Sequence, residues 1–507
     1  MSDAPVPVQA HEPSPKEPSG RRNAIARENQ LLPGHWTQLG EIDLARIRTA
    51  IAQSRAKQAS KATLEACLML LSVLSTGRRM GELISLTFRF LAPEYAISAA
   101  EPGLIFHDKR WSWWLSSGGP ARQIGPQMAE MMVPTSKNVW LSVSDETELV
   151  LRDCLKARKI YAHAGAQRLF ETDAGTLQAR VLALLNRRMP GEPRVRRSAR
   201  TIESAERWLM RVIAQDAGGD IAAASLITAR HHPLARPMTY YGALPMPRAS
   251  NIHRQALRRL GQPSAAEFPS ELAGLWVGES FTPKDEAVRT LARRLGRNLR
   301  FGGNRFWEAH AGMSAYTVAL VAFGLGLRGR GGVLPSFEAI DRRTGFLQVH
   351  DKYRDDPAAA RLVWVCECAR TQLSLYHDHL LAMDRHLPSE ARAWLRTSLN
   401  SPAAPLFQVT SSGEMQARSL KQVLHSLRSK GWPGHENAGR HWLRSKLVGK
   451  VSGETLGAFF GHWHHGVQPW GLTSALDPMS YQADLKPVLD PALAWVGWTP
   501  IASPLAQ

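Results

Sequence analysis

The sequence predicts a mainly α-helical chain with small β-sheets, an α+β architecture spread over several domains. Apolar residues recur at helical spacing through most of the segments that show any period, and only short runs read as strands. The 507 residues are 44% hydrophobic and 21% charged, which leaves room for sizeable cores and excludes a disordered chain. At roughly one domain per 150 residues, that length holds two to four domains.

Residues 1–35 carry Pro5, Pro7, Pro13, Pro15 and Pro18 among Ser, Glu and Gln with no apolar period, and read as a flexible tail. Residues 36–190 read as one α+β unit. Ile42, Leu44, Ile47 and Ile51 mark a helix over 42–56. A more apolar helix over 62–75 ends at Gly77. Strand-like runs follow at 103–107, 111–115 and 139–143, then a helix over 146–157. Residues 191–279 read as a basic linker and a helical region. Arg180, Arg187, Arg188, Arg194, Arg196, Arg197 and Arg200 crowd around Pro190, Gly191 and Pro193. This run is either a solvated linker or a contact to a nucleic-acid backbone. Helices over 201–214 and 220–229 precede a Pro-rich loop through Met238-Thr-Tyr-Tyr-Gly. Residues 280–507 form the last region. It opens with a basic helix over 283–299 and an apolar one over 314–327. A hairpin of 345–350 and 361–365 turns at Asp355-Asp-Pro. Helices over 369–383, 390–399, 419–430 and 437–448 follow, with no short tandem repeat.

Lys and Arg total 63 against 44 Asp and Glu, a net charge of +19. That excess calls for a polyanionic partner, nucleic acid first. The four cysteines, Cys67, Cys154, Cys366 and Cys368, form no Cys-x-x-Cys pair, so neither a zinc site nor a disulfide framework is indicated and a reducing cytoplasm fits best. The most apolar stretch, 315–327, is too short and Gly-rich to span a bilayer.

The most specific signal is C-terminal. Asn437-Ala-Gly-Arg440-His441-Trp-Leu-Arg444-Ser precedes Gly461-His462-Trp463 and then Pro478-Met-Ser-Tyr481. Upstream lie Ala322-Phe-Gly-Leu-Gly-Leu-Arg328 and Val349-His-Asp-Lys352. These pieces, in this order over about 280–490, resemble the tyrosine recombinase (phage integrase) family. Lys352 stands 24 residues after Arg328, and His462 stands 22 after Arg440, spacings similar to the family's. The resemblance implies an integrase-like catalytic domain at 280–507, with Arg328, Lys352, Asn437, Arg440, His462 and Tyr481 as the site. The chemistry is self-consistent. A Tyr hydroxyl, protonated at neutral pH, can conserve the energy of a phosphodiester in a covalent intermediate if helped to lose its proton. Arginines pair with the nonbridging oxygens and offset the charge of the transition state. A lysine can protonate the leaving 5′ oxygen. Nothing in this scheme calls for a metal ion or a cofactor.

The match has departures. Asn437 stands where the family usually has His, and Asn cannot take a proton near pH 7. His441 is the substitute base, and His441-Trp-Leu-Arg444 offers a competing register. Arg328 is followed by Gly329-Arg330-Gly331-Gly332 rather than the family's Glu, with Arg330 as an alternative, and His464 and His465 could replace His462. The 19 residues from His462 to Tyr481 make a long loop that would act as a positioning arm. Nearer the N-terminus, Ser75-Thr76-Gly77-Arg78-Arg79-Met-Gly-Glu82-Leu83 also resembles the family's first-arginine motif, with Lys137 in a hairpin-like place. Arg79 lies 361 residues from Arg440, against 112 for Arg328, so the site is assigned to Arg328. The Arg79 copy is either a degenerate partial duplicate at 36–190 or a plain helix C-terminus.

The resemblance thus implies a site-specific recombinase or integrase of a mobile element. It would work through a 3′-phosphotyrosyl intermediate on double-stranded DNA, in the cytoplasm with the nucleoid. Self-association into a tetrameric synapse and accessory recombination proteins are implied partners; a membrane is not. The alternative is a non-catalytic DNA-binding accessory protein that keeps the fold.

Overall fold

The computed structural model describes residues 38–505 except 57–58, 93, 120–121, 161–164, 188–199, 217–218, 231–237, 302–305, 329–336, 351–359, 400–407, 412–413, 418–419, 428–431, 433, 463–467 and 472–473. The proline-rich residues 1–35, most of the arginine run, Arg330, Lys352, His464 and His465 lie outside the described residues.

Helix α1 (Glu41–Ala56) buries Leu44, Ile47 and Ile51 of the apolar stripe read in the sequence, together with Ala50, while Ile42 is exposed. Helix α2 (Lys61–Thr76) is buried on every side from Leu64 onward. Gly77 ends it in the left-handed conformation (φ 67°), its N–H on the Val73 carbonyl at 2.9 Å. A Cβ at that position would meet Thr228 Cγ2 at 2.7 Å. Strands β1 (Thr87–Phe90), β2 (Gly103–His107), β3 (Arg110–Ser116), β5 (Asn138–Ser142) and β6 (Gln167–Arg168) form a sheet in the order β5-β3-β2-β1-β6. Within this sheet β1 and β2 pair in parallel, and the other described neighbours pair antiparallel. Trp113, Trp114 and Trp140 fill the core along it. Helix α3 (Asp145–Ala157) starts on the Ser144 hydroxyl, which accepts from the Thr147 N–H at 3.2 Å.

Helix α4 (Ala174–Leu185) follows, a segment without a sequence expectation. The helix expected over 201–214 breaks at Arg207 into 202–206 and α5 (Trp208–Gln215). Helix α6 (Ile221–Thr228) is capped by Asp220, and α7 (Met246–Arg259) packs on β5. Strand β4 (Thr135–Ser136) pairs with β8 (Trp276–Gly278), which pairs with β7 (Ala243–Pro245). This small sheet ties the first stretch of chain to residues 243–278.

Helix α8 (Asp285–Phe301) leads to α9 (Phe306–Gly324), which starts earlier than the expected 314 and is buried almost throughout from Met313 to Gly324. Around it pack α8, α10 (Glu367–Asp384), α11 (Ala438–Leu447) and α13 (Pro478–Trp495). Strands β9 (Phe346–Val349) and β10 (Arg361–Trp364) form the expected hairpin. Helix α12 (Gly453–Phe460) packs on β10. The chain is mainly α with small sheets, and no described helix is long and apolar enough to cross a membrane.

Candidate functional site

Helix α11 carries Arg440, His441 and Arg444. It approaches α9 closely because Gly439 has no side chain: a Cβ there would sit 2.9 Å from the Ala322 carbonyl oxygen. Arg440, fully buried, therefore reaches the turn that ends α9. Its Nη1 donates to the Gly326 carbonyl at 2.9 Å and its Nη2 to the Phe460 carbonyl at the end of α12. The guanidinium lies between the rings of Tyr241 and Phe460, 4.6 and 4.9 Å from their centroids.

A second buried arginine completes this arrangement. Arg361 opens β10 at an inward-facing position and donates to the carbonyls of Leu325, Gly326 and Phe459. Arg361 and Arg440 thus staple the 325–326 turn to the end of α12. Gly326 is left-handed (φ 55°), and a Cβ there would touch Phe460 at 3.0 Å. Arg328, half-buried, lies two residues beyond the stapled turn.

His462 follows left-handed Gly461 at the end of α12. Its N–H donates to the Gly457 carbonyl at 2.8 Å, and its ring stacks on Tyr241 (6.3 Å) and Phe460 (6.4 Å). Tyr481 lies in the first turn of α13, behind the Asp477 cap and Pro478. Its ring meets Phe346 and Trp470, and its hydroxyl donates to the Leu362 carbonyl at 3.0 Å. Leu362 is the neighbour of Arg361, so the hairpin links the tyrosine to the stapled arginines. Burial holds the Tyr481 hydroxyl well above the usual tyrosine range, with Arg361 acting in the opposite direction.

Asn437 precedes α11 without capping it through its side chain. His441 is fully buried, and neither ring nitrogen has a hydrogen-bond partner among the described residues. Burial, then the charges of His435, Arg122, Arg440 and Arg444, pushes it well below the ordinary histidine range. It is neutral at neutral pH and a weak base. Arg444 is engaged elsewhere, with Nη2 at 2.9 Å from both carboxylate oxygens of Asp220.

The structure thus brings the Arg328 turn, Arg440, His462 and the Tyr481 helix together around one hairpin, while Lys352 lies outside the described residues. Arg79 is exposed; its neighbour Arg78 is buried and donates to the Ile227 carbonyl at 3.1 Å. Sequence reasoning missed Arg361, whose signal was an arginine on the inward side of an apolar strand. It also missed Tyr240, Tyr241 and Asp220, which reach the site from the middle of the chain. Tyr240 and Tyr241 sit on the His441 ring at 5.8 and 4.9 Å, and the Arg122 guanidinium lies 3.8 Å from the Tyr240 ring centroid. No family model and no curated protein matches the chain.

Proposed function

We propose that the protein is a DNA strand transferase of the tyrosine-recombinase type. One observation carries the reading: Arg440 and Tyr481 lie around the β9–β10 hairpin, joined through the Gly326 carbonyl, two residues before Arg328, and the adjacent Arg361 and Leu362. In the proposed step the Tyr481 Oη attacks a DNA phosphorus. The bond from phosphorus to the 5′ oxygen breaks and a 3′-phosphotyrosyl link forms; the Tyr481 hydroxyl proton leaves to solvent, and Lys352 gives a proton to the leaving 5′ oxygen and is reprotonated from solvent. Arg440 and Arg328 offset the added negative charge. A 5′-hydroxyl of a partner duplex reverses the step, so atoms and charge balance without a metal.

A second reading has its own observation. The Arg440 guanidinium is committed to two backbone carbonyls beneath Tyr241, and the Tyr481 hydroxyl to a third. A protein that keeps this arrangement on DNA binds without cutting, as an accessory factor. The strand-transferase reading requires both groups to leave these partners when DNA binds. A nicked suicide duplex separates the two: the first reading expects a covalent adduct that Tyr481→Phe abolishes with DNA affinity nearly unchanged. Binding without an adduct establishes the second, and an adduct that survives Tyr481→Phe assigns the wrong tyrosine.

A further inference from the structure

Helix α8 is amphipathic in an unusual way. Val288, Leu291, Ala292, Leu295 and Leu299 are buried, in a face that packs on α9. The opposite face carries Arg293, Arg294 and Arg297, all exposed. None of the three makes an ion pair or hydrogen bond among the described residues, although many arginines of this chain are paired, among them Arg55, Arg89, Arg200, Arg230 and Arg396. At 100° per residue, Arg289, Arg293 and Arg297 fall within about 80° of one another, and Arg294 lies about 60° further round. Along the axis the i, i+4 steps rise about 6 Å. Arg289 donates to the Trp495 carbonyl at 3.2 Å, and the Trp495 indole, two-thirds exposed, donates to Asp285.

We propose that this arginine row is a docking surface for the phosphate backbone of duplex DNA. The inference rests on the strand-transferase reading and adds a surface to it. Charge complementarity selects a polyanion: three exposed cations stand on one face of the helix, on a chain with net charge +19. A basic amphipathic helix is also what an anionic membrane surface takes up, but that mode needs the apolar face to enter the lipid. Here that face is occupied by α9, which leaves the polar face alone for contact. Guanidinium forks suit phosphate oxygens.

The test measures binding of a random-sequence duplex to the full chain by anisotropy as a function of salt. Each neutralised phosphate contributes about 0.9 to the log–log slope, so replacing Arg293, Arg294 and Arg297 together by Gln should lower it by about 2.7. Between about 50 and about 200 mM salt, this removes about 40-fold of the wild-type loss of affinity. The triple Lys variant keeps the slope, and Glu286→Lys, which adds a charge to the same face, raises it. If the Gln variant is unstable on heating, Glu286→Lys carries the test. Wild-type binding with a slope that the Gln triple does not lower and Glu286→Lys does not raise overturns the docking surface and leaves the strand-transferase reading standing. Failure of the wild type to bind duplex DNA overturns both. Co-sedimentation with phosphatidylserine vesicles that depends on the same three arginines overturns the choice of DNA.

Discussion

Replacing Asp220 by Asn should destabilise the protein far more than its position in a short connection suggests. Asp220 and Arg444 are both buried, with side chains 5% and 2% exposed, and both carboxylate oxygens lie 2.9 Å from the Arg444 Nη2. Asp220 also accepts from the Ala222 N–H at 3.0 Å as the cap of α6, and it opposes the effect of burial on half-buried Arg248. Asn keeps the shape and the cap, so the variant isolates the charge. Arg444 is then left buried without its counter-charge, a loss of about 3–5 kcal/mol. With an unfolding entropy of about 2 cal/mol/K per residue, a chain of this length melts about 1 °C lower per kcal/mol, so Tm falls by about 3–5 °C. Urea titration followed by tryptophan fluorescence gives the free energy, and Asp220→Asn with Arg444→Met gives the double variant. The double variant should recover most of the loss, because replacing both partners removes the orphaned charge. A change below about 1 kcal/mol in the single variant, or a double variant no better than the single, would refute the claim that this pair fastens α11 to the middle of the chain.

Two further outcomes follow from buried groups. His253 and His379 are pushed by burial down to about 4 and about 3, against a hydrogen bond to the Ser75 carbonyl at 2.7 Å in the first and assisted by His310 in the second. Their folded values lie below the unfolded value, so the stability they contribute is complete above about pH 6.5 and is lost as pH falls toward 4 and 3. Between pH 7 and pH 5 the two together should remove roughly 4 kcal/mol, and urea midpoints that do not move over that interval would contradict this. Gly439→Ala should destabilise by about 1–3 kcal/mol despite Ala's better helix propensity, because the new Cβ meets the backbone of α9, which cannot turn aside. A variant that melts at or above the wild-type temperature would mean that the two helices can separate freely.

The elements legible in the sequence are those whose pattern is local. The stripe of α1, the apolar α2 ended by Gly77, strands β2, β3 and β5 and the β9–β10 hairpin carry their period or punctuation within a few residues. Helix α13 carries no such signal, because Pro487 and Pro491 break its helical pattern. It persists because Tyr481, Leu485, Val488, Leu489 and Leu493 are buried on one side, while Asp490 accepts from the N–H groups of Glu367 and Cys368. Tertiary packing outweighs propensity there. The partners of the site are illegible for a different reason. Asp220 stands 224 residues from Arg444, and Tyr241 stands 199 from Arg440, and no local spacing encodes such pairs.

The arginines divide into two populations, and the division bears on how the proposed chemistry could begin. Arg78, Arg361, Arg440 and Arg444 are buried and spend their donors on carbonyl oxygens or on Asp220. Arginines held in this way present no free guanidinium at the surface. The exposed row on α8 does, so DNA would be captured there before it reaches the stapled turn. An arriving phosphate can take Arg440 from the Gly326 and Phe460 carbonyls because a charged acceptor binds guanidinium more strongly than a neutral one. The exchange would uncover two carbonyls and take the guanidinium from beside the Tyr241 ring, so part of the binding energy would be spent on that rearrangement. In this order of events, backbone contacts on α8 come first and phosphate capture by Arg440 second. A variant stripped of the α8 arginines but saturated with DNA should therefore still form adduct at the wild-type single-turnover rate, whereas a slower rate at saturation would place α8 in the chemical step itself.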